Sequence, residues 1–380
     1  MEVIYALLHQ ALAVVIGVLV ALGSFFTGHT ETAHAPLPVP AATTTATASF
    51  PVASSAPKTI ATSTPAKNPP QKSSDLLSEP KAAGSAGQTF APDSLPTFST
   101  EQLNTLARGA LVNILCTTLS GGSFNPISGS GVVVDSRGVI LTNAHVAQYF
   151  LLRDYPTTNS IDCVVRTGSP AQPRYRAELL YLPPTWVVAN AAQIKKDTPT
   201  GTGEFDYAFL RITGSTNPQG TIPSSFAALP MESGDPYVQQ RILLAAYPAG
   251  FLGGIAISLN LYPTSALATV GDVYTFGGET NIDLFSLGGT VVAQTGSSGG
   301  AAVSAQGKLI GLIATEVPGA TTAERDLRAI TMAHIDRSLR AAGQGGILTL
   351  LSRDVVQFAA EFNAATAPIE TRLLLDALTK

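Results

Sequence analysis

Short apolar segments separated by turn-forming residues fill the chain from about residue 100 to residue 345, and this pattern restricts the possible folds more than any other feature. Examples are "GSGVVVD", "GVILTNAHV", "DCVVRTG", "DYAFLRI", "QRILLAAYP" and "KLIGLIAT". Many short strands with regular turn signals are typical of an all-β barrel or sandwich. We therefore expect an all-β domain, with a hairpin turn in "VDSRGVIL" and a terminal helix in "DRSLRAA".

The charge content argues against nucleic-acid binding. Charged residues make up 13% of the chain, and its net charge is −4. Ordinary soluble domains carry roughly 25% charged residues. A chain without a basic field does not attract a polyanion, so we expect no nucleic-acid partner. No pattern in the sequence indicates an oligomeric state.

The first 28 residues contain an almost wholly apolar segment of 24 residues, Val3 to Phe26. At ~1.5 Å per residue, a helix of this length crosses a hydrocarbon core of ~30 Å. We expect an uncleaved transmembrane anchor over residues 1–28. A cleaved signal peptide is the main alternative, but no Lys or Arg precedes Lys58, and Pro36 directly follows the small-residue site ending at Ala35. A buried core helix is the third possibility.

The next segment, residues 29–98, predicts a disordered linker. Between residues 36 and 70, 27 of 35 residues are Ala, Pro, Ser or Thr, a composition that buries too little apolar surface to offset chain entropy. The folded domain is expected over residues 99–345. Residues 346–380 show helical periodicity and predict a helical tail that Pro368 divides into two pieces.

A glycine-flanked serine stands at Ser298, in the string Gly296 to Gly300. Glycines beside a nucleophilic serine allow a sharp turn and a close approach to a substrate carbonyl. The same string also occurs in ordinary Gly/Ser turns before hairpins, and it fits the G-x-S-x-G elbow of α/β-hydrolases. That hydrolase fold needs an acid and then a histidine after the serine, and His334 is the only histidine after Ser298.

Two further segments supply the partners that a serine nucleophile needs. His145 follows the apolar run in "VILTNAHV" and is a candidate general base, and Asp206 precedes the apolar run in "DYAFLRI" and is a candidate orienting carboxylate. The chain order His, Asp, Ser is that of chymotrypsin. The acids that compete with Asp206 are Asp154, Asp162 and Asp197.

Together these segments resemble trypsin/chymotrypsin-family serine proteases. The strings "SGSGVVVDSRGVILTNAHV", "EFDYAFLRI", "LLAAYPAG" and "GSSGGAAVSAQGKLIGLIAT" are most similar to the bacterial high-temperature-requirement (Deg-type) branch, and the likeness covers about residues 100–345. The resemblance implies two six-stranded antiparallel β-barrels with the site between them. It also implies that His145 is the base, that Asp206 orients it, that Ser298 attacks, and that the N–H groups of Gly296 and Ser298 form the oxyanion hole.

The chain departs from the family pattern at several positions. Ser297 stands where trypsin-like zymogens have an aspartate that pairs with a new N-terminus, and Ala301 replaces a common proline. We expect no PDZ domain, since few residues follow Gly345. The stretch from residue 148 to residue 204 is long and predicts a family-specific insertion.

The resemblance also implies where the substrate pocket lies. The residue six before the nucleophile, Val292, would form the pocket floor, and Glu316 would stand near the pocket wall. Because Val292 has no carboxylate to pair with Arg or Lys, we expect cleavage after small or medium apolar residues.

The chain contains two cysteines, Cys116 and Cys163. In the resembled barrel their strands are neighbours, which would bring the Cα atoms to roughly 4.4–6.8 Å, the range for a disulfide. We expect a disulfide, which indicates an oxidising compartment; two buried free cysteines are the alternative.

The sequence thus predicts a membrane-tethered, extracytoplasmic serine endopeptidase that acts on proteins or peptides, contacts the membrane through its N-terminal helix and uses no metal or other cofactor. One alternative is a catalytically silent binding module on a protease fold. The other is an α/β-hydrolase esterase, which requires parallel strands.

Overall fold

A computed structural model of the chain describes residues 81–82, 97–119, 126–196, 201–250, 252–277 and 280–379. These residues belong to one compact unit, residues 72–380. Within the described part, no helix is long and apolar enough to cross a bilayer. The predicted anchor and nearly all of the predicted linker lie outside the described residues.

The elements follow one another along the chain, and most are strands. The strands are β1 Lys81–Ala82, β2 Leu111–Thr118, β3 Ile127–Asp135, β4 Val139–Thr142, β5 Ile161–Thr167, β6 Gln172–Tyr181, β7 Ala208–Ser215, β8 Arg241–Ala246, β9 Thr264–Thr269, β10 Val273–Thr275, β11 Leu284–Gly288, β12 Ala301–Ser304, β13 Leu309–Val317 and β14 Asp326–Thr331. The helices are α1 Thr100–Ala110, α2 Ala144–Ala147, α3 Pro184–Asn190, α4 Gly254–Leu259, α5 Met332–Ala341, α6 Ile347–Ser352, α7 Val355–Ala365 and α8 Ala367–Thr379. Short 3-10 turns cover Gln148–Phe150 and Ala191–Lys195.

Six strands close into an antiparallel barrel in the order β2-β3-β4-β7-β6-β5, as predicted for the first barrel. The barrel closes because β5 pairs back onto β2. Side chains such as Ile114, Val132, Leu141 and Phe209 are fully buried and belong to the apolar core that the barrel strands build. The hairpin predicted in "VDSRGVIL" joins β3 to β4.

The prediction that the second set of strands also closes into a six-stranded barrel is wrong. The remaining strands form an open eight-stranded sheet in the order β1-β10-β11-β14-β13-β12-β8-β9. Strand β10 has three residues, and its outer edge pairs with β1, so it does not join β9 to close the sheet. The outcome is one closed barrel beside a half-barrel sheet. Every ladder in both sheets is antiparallel, which excludes the α/β-hydrolase fold for the described residues.

The stretch from residue 148 to residue 204 is not a simple insertion. It supplies β5 and β6, which are two of the six strands of the closed barrel. The segments before β5 and after β6, which contain the two 3-10 turns and α3, do not belong to the barrel strands. The prediction missed β6 because the first seven residues of this strand are exposed or half-buried and mostly polar. It also missed α3, in which Trp186 and Val187 are buried.

The tail is helical and packs on the closed barrel. Asn363 on α7 donates a hydrogen bond to the carbonyl of Leu179 on β6 over 2.8 Å, and the ring of Phe362 lies 6.1 Å from that of Tyr181. Pro368 lies in the first turn of α8, where its missing N–H costs nothing, so the helices divide at Thr366.

The structure contains the predicted disulfide. Cys116 on β2 and Cys163 on β5 lie directly opposite each other in the barrel wall, with Cα atoms 4.0 Å apart. The bond therefore links two strands that already share a ladder, and it encloses the segment that carries β3, β4 and α2.

Removing both cysteines should weaken folding without changing the site. The bond spans 47 residues, so a Cys116→Ala/Cys163→Ala variant should lose about 3–4 kcal/mol of unfolding free energy in the chain-entropy model. Urea unfolding with and without reductant measures this loss. Reductant should bring the native chain down to the level of the variant and leave the variant itself unchanged; equal midpoints for all samples would contradict the prediction.

Candidate active site

His145 lies in a short helical turn directly after a barrel strand. Strand β4 ends at Thr142, and α2 then begins, with Ala144, Val146 and Ala147 buried. The side chain of His145 points the other way and remains 35% exposed. The buried neighbours fix the turn, and the imidazole is presented to the surface.

Asp206 lies just before β7, the strand that pairs with β4 in the closed barrel. Its carboxylate forms two hydrogen bonds with His145. The His145 Nδ1 atom lies 2.7 Å from Asp206 Oδ2, and the backbone N–H of His145 donates to Asp206 Oδ1 over 3.0 Å. The carboxylate side chain is 8% exposed. Because both carboxylate oxygens are used, the imidazole is held in one orientation, with Nδ1 as the protonated nitrogen and Nε2 free to accept a proton.

The charge of Asp206 also changes the acidity of His145. Burial by itself disfavours the imidazolium, but the negative charge of Asp206 and its hydrogen bond outweigh burial, so the pKa of His145 is raised above its usual 6.5. A base with a raised pKa takes up a proton more readily, which suits a group that must accept one during a reaction.

Asn143 is a site residue that sequence reasoning missed. Its side chain is fully buried, and its Nδ2 donates to the backbone carbonyl of Asp206 over 2.7 Å. The signal that could have found it is a polar residue in "LTNAHV", between an apolar strand and the candidate histidine.

Ser298 is presented by the loop between β11 and β12, and the closed barrel holds that loop in place. The backbone N–H of Ser130, on β3, donates to the carbonyl of Ser298 over 2.7 Å. The Ser130 hydroxyl donates to the carbonyl of Gly296 over 2.8 Å and accepts from the N–H of Tyr247 over 2.9 Å. Ser130 is fully buried, and the sequence analysis also missed its role as the link between the barrel and the serine loop.

The same loop approaches β4 closely at Gly299. Gly299 has a φ of +85°, and a Cβ there would lie 2.0 Å from the Ser130 carbonyl oxygen and 2.6 Å from Thr142 Oγ1. Only glycine permits this approach. Because Thr142 is three residues before His145, the contact brings the loop that carries Ser298 next to the turn that carries His145.

The backbone between Gly296 and Ser298 offers two N–H donors. Gly296 has a φ of +92°, and Ser297 is fixed by a hydrogen bond from its hydroxyl to the Val292 carbonyl over 2.5 Å. Among the described residues, the N–H groups of Gly296 and Ser298 donate to no other group. Unpaired, pre-oriented N–H groups beside a nucleophile can stabilise an oxyanion.

No hydrogen bond joins Ser298 Oγ to His145 within the described residues, and Ser298 is partly exposed. Contacts of this kind are often long in the absence of substrate and tighten when one binds. The structure therefore assembles the His145–Asp206 pair and places the serine loop against the same barrel wall.

Of the two residues expected in the substrate pocket, Val292 lies in the loop between β11 and β12 that also carries Ser298, and Glu316 lies in the second sheet. Val292 is fully buried and packs in the core of that sheet with apolar residues such as Phe285 and Leu287. Glu316 lies on β13, where its backbone is paired with Leu327 of β14. Val292 is therefore an uncharged, apolar residue on the loop that presents Ser298.

A family described as trypsin-like peptidase domain matches residues 129–312, a segment that contains His145, Asp206 and Ser298. This segment is similar to trypsin-like peptidase domains. The chain is accordingly a serine endopeptidase, a hydrolase, and its closed barrel carries the histidine and the aspartate of the candidate site.

Comparison with other proteins adds little to the family match. A search of curated proteins finds none that matches this peptidase. Among solved structures, an "HtrA-type protease AlgW with decapeptide" is similar at 17% identity, with a TM-score of 0.42 over 65% of this chain and 69% of that chain. A likeness of this strength carries no argument about substrate or branch.

Proposed function

We propose that Ser298 is the nucleophile of the peptidase domain, that His145 is its general base, and that Asp206 orients and polarises His145. The observation that carries this assignment is the pair of hydrogen bonds from His145 to the Asp206 carboxylate, beside the loop that presents Ser298. The chain order of the three residues and the family match support it.

In this mechanism, His145 Nε2 takes the proton of the Ser298 hydroxyl as Oγ attacks the carbonyl carbon of the scissile peptide bond. The carbonyl oxygen becomes an oxyanion, which the N–H groups of Gly296 and Ser298 stabilise. The C–N bond then breaks, and His145 gives its proton to the leaving amine. Water attacks the acyl-ester with His145 again as base, and the acid product leaves with Ser298 restored.

A catalytically silent binding module is the second candidate, and the missing hydrogen bond between Ser298 and His145 is the observation that favours it. Such a module needs a histidine that does not activate the serine. The raised pKa of His145 and the unpaired N–H groups of Gly296 and Ser298 instead favour an active site.

Labelling of the full chain with a fluorophosphonate separates the two candidates. The probe phosphonylates a serine only when a base activates it. We expect one label, on Ser298, together with hydrolysis of an unfolded protein substrate. Absence of both label and hydrolysis from pH 6 to pH 9 would favour the binding module.

We further propose that the peptidase domain is tethered to a membrane and lies outside the cytoplasm. The apolar segment of residues 3–26 supports the tether, and the Ala/Pro/Ser/Thr-rich linker suits a domain held away from a bilayer. The disulfide supports an oxidising compartment. Alkylation of non-reduced protein from its native compartment tests the location: two alkylated thiols would argue against it.

Cleavage should follow small or medium apolar residues, because Val292, the expected pocket floor, has no carboxylate to pair with a basic side chain. Deg-type proteases, which the sequence resembles, suggest proteins or peptides as the substrate class. Profiling on a peptide library measures the preference, with Val292→Asp as the comparison variant, which should gain cleavage after Arg or Lys. A native profile dominated by Arg or Lys would contradict the assignment of Val292.

A further inference from the structure

Helix α5 holds both neighbours of Asp206. The Tyr207 hydroxyl lies 2.8 Å from Ser338 Oγ, and the Phe205 ring centre lies 6.2 Å from that of His334. His334 and Ser338 are four residues apart, so they lie on the same face of α5. The residues before and after Asp206 are therefore fixed by one helix, which comes from a part of the chain about 130 residues further on.

The Tyr207 contact is fully buried. Tyr207 is 0% exposed and Ser338 is 8% exposed. The Tyr207 ring stacks on Tyr181 at 6.4 Å and meets Phe209 edge-on at 6.3 Å. A buried hydroxyl without a partner is costly, so the bond to Ser338 sets the depth and rotation of Tyr207, and through the shared backbone the position of Asp206.

The Phe205 contact holds a strained backbone. Phe205 has a φ of +59°, a conformation that a bulky residue adopts only when its surroundings hold it. The Tyr207 N–H donates to the Phe205 carbonyl over 2.8 Å, which closes a tight turn centred on Asp206. The turn aims the Asp206 carboxylate at His145, and α5 supplies the packing that keeps the turn in place.

Helix α5 itself is firmly anchored to the second sheet. Asp283 accepts hydrogen bonds from His334 over 2.9 Å and from Arg337 over 2.6 Å, both on α5. Thr331 caps the first turn by accepting from the His334 N–H. The helix therefore provides a fixed surface for the segment that carries Asp206, and it links that segment to the sheet that carries Ser298.

We propose that Tyr207 and Ser338 are positioning residues for the Asp206–His145 pair. The inference rests on the proposed function, since it assigns a role in orienting the general base. The charged group that faces His145 is the Asp206 carboxylate. On the α5 side, the other titratable groups are Glu204 and Asp283 and, on the helix itself, His334, Asp336, Arg337 and Arg340.

The test is the rate of fluorophosphonate labelling of the full chain as a function of pH, which needs no known substrate. Labelling requires neutral His145, so the labelling rate should fall as the pH drops below the pKa of His145. Because Asp206 raises that pKa, the midpoint of this fall, here called the acid limb, should lie above pH 6.5 in the native chain. A displaced Asp206 raises that pKa less. In Tyr207→Phe, the limb should move to lower pH and the plateau rate should fall by about tenfold.

Matched variants separate positioning from stability. Ser338→Ala should reproduce the rate and the shift of Tyr207→Phe, and the double variant should be no slower than either single variant, because all three lack the same bond. Ser338→Thr keeps the hydroxyl and should restore both readouts. Tyr181→Phe removes a buried hydroxyl from the adjacent ring and should leave both unchanged. Glu204→Gln should leave the acid limb in place, which would show that the limb reports the titration of His145 and not that of Glu204.

Two results would overturn the proposal, and they differ. If Tyr207→Phe and Ser338→Ala lower the melting temperature but keep the native rate and acid limb, the bond is only structural and the proposed function stands. If the native chain is not labelled at Ser298 at any pH, the proposed function fails and the positioning role fails with it.

Discussion

Ser298→Ala should abolish peptidase activity and fluorophosphonate labelling while the protein remains folded. Loss of a serine nucleophile of this type lowers kcat by about 10⁶-fold. The Ser298 side chain is partly exposed and makes no hydrogen bond within the described residues. Its removal should therefore change the unfolding free energy by no more than about 0.5 kcal/mol.

The adjacent serine provides the control for this experiment. Ser297 is fully buried, and its hydroxyl donates to the Val292 carbonyl. Ser297→Ala should lose about 1 kcal/mol of stability, the usual value of one hydrogen bond, yet keep its label on Ser298. A label that persists in Ser298→Ala, or disappears only in Ser297→Ala, would remove Ser298 from the mechanism.

Asp206→Asn should lower kcat by about 10⁴-fold, somewhat less than loss of the serine. The Asn amide has one oxygen and one NH2 group, so it can accept from only one of the two His145 positions and presents a donor to the other, and the imidazole loses its preferred tautomer. The N–H groups of Gly296 and Ser298 remain and still stabilise the oxyanion. Loss of the carboxylate charge should also lower the pKa of His145 and move the acid limb of labelling to lower pH.

Asp162 is a suitable control, because it competed with Asp206 at the level of the sequence. In the structure Asp162 forms a surface ion pair with Arg176, far along the barrel wall from His145 in strand order. Surface pairs contribute at most about 1 kcal/mol. Asp162→Asn should keep the native rate within about twofold, and an equal loss in both variants would contradict the assignment of Asp206.

Much of the closed barrel could be predicted from the sequence because its signals are local. Apolar runs such as those around Val132 and Phe209 alternate with turn residues, and the hairpin before Val139 requires no distant contact. Strand β6 was missed because many of its residues are polar and exposed, so the strand shows no clear apolar run. The second sheet was predicted as closed because local patterns do not show which strand edges pair.

The candidate site also has residues that the sequence predicts and residues that it does not. Asp206 could be chosen over its rivals by its place at the start of an apolar strand. Ser130 could not, since a buried polar residue in a strand has the same local signature whether or not it supports a site, and Asn143 could be singled out only as a polar residue between an apolar strand and His145. Their roles depend on partners far along the chain, as the Ser130 hydroxyl and the Gly296 carbonyl are 166 positions apart.

The sequence by itself determined which chemical groups this protein carries and which segments become strands, turns and helices, because those properties depend on near neighbours. Only the tertiary structure decided that the second sheet stays open, that Ser130 links the barrel to the serine loop, and that α5 holds the segment around Asp206. Each of these depends on edges and hydrogen-bonding groups that meet only when distant segments pack, as Tyr207 and Ser338 do across 131 positions.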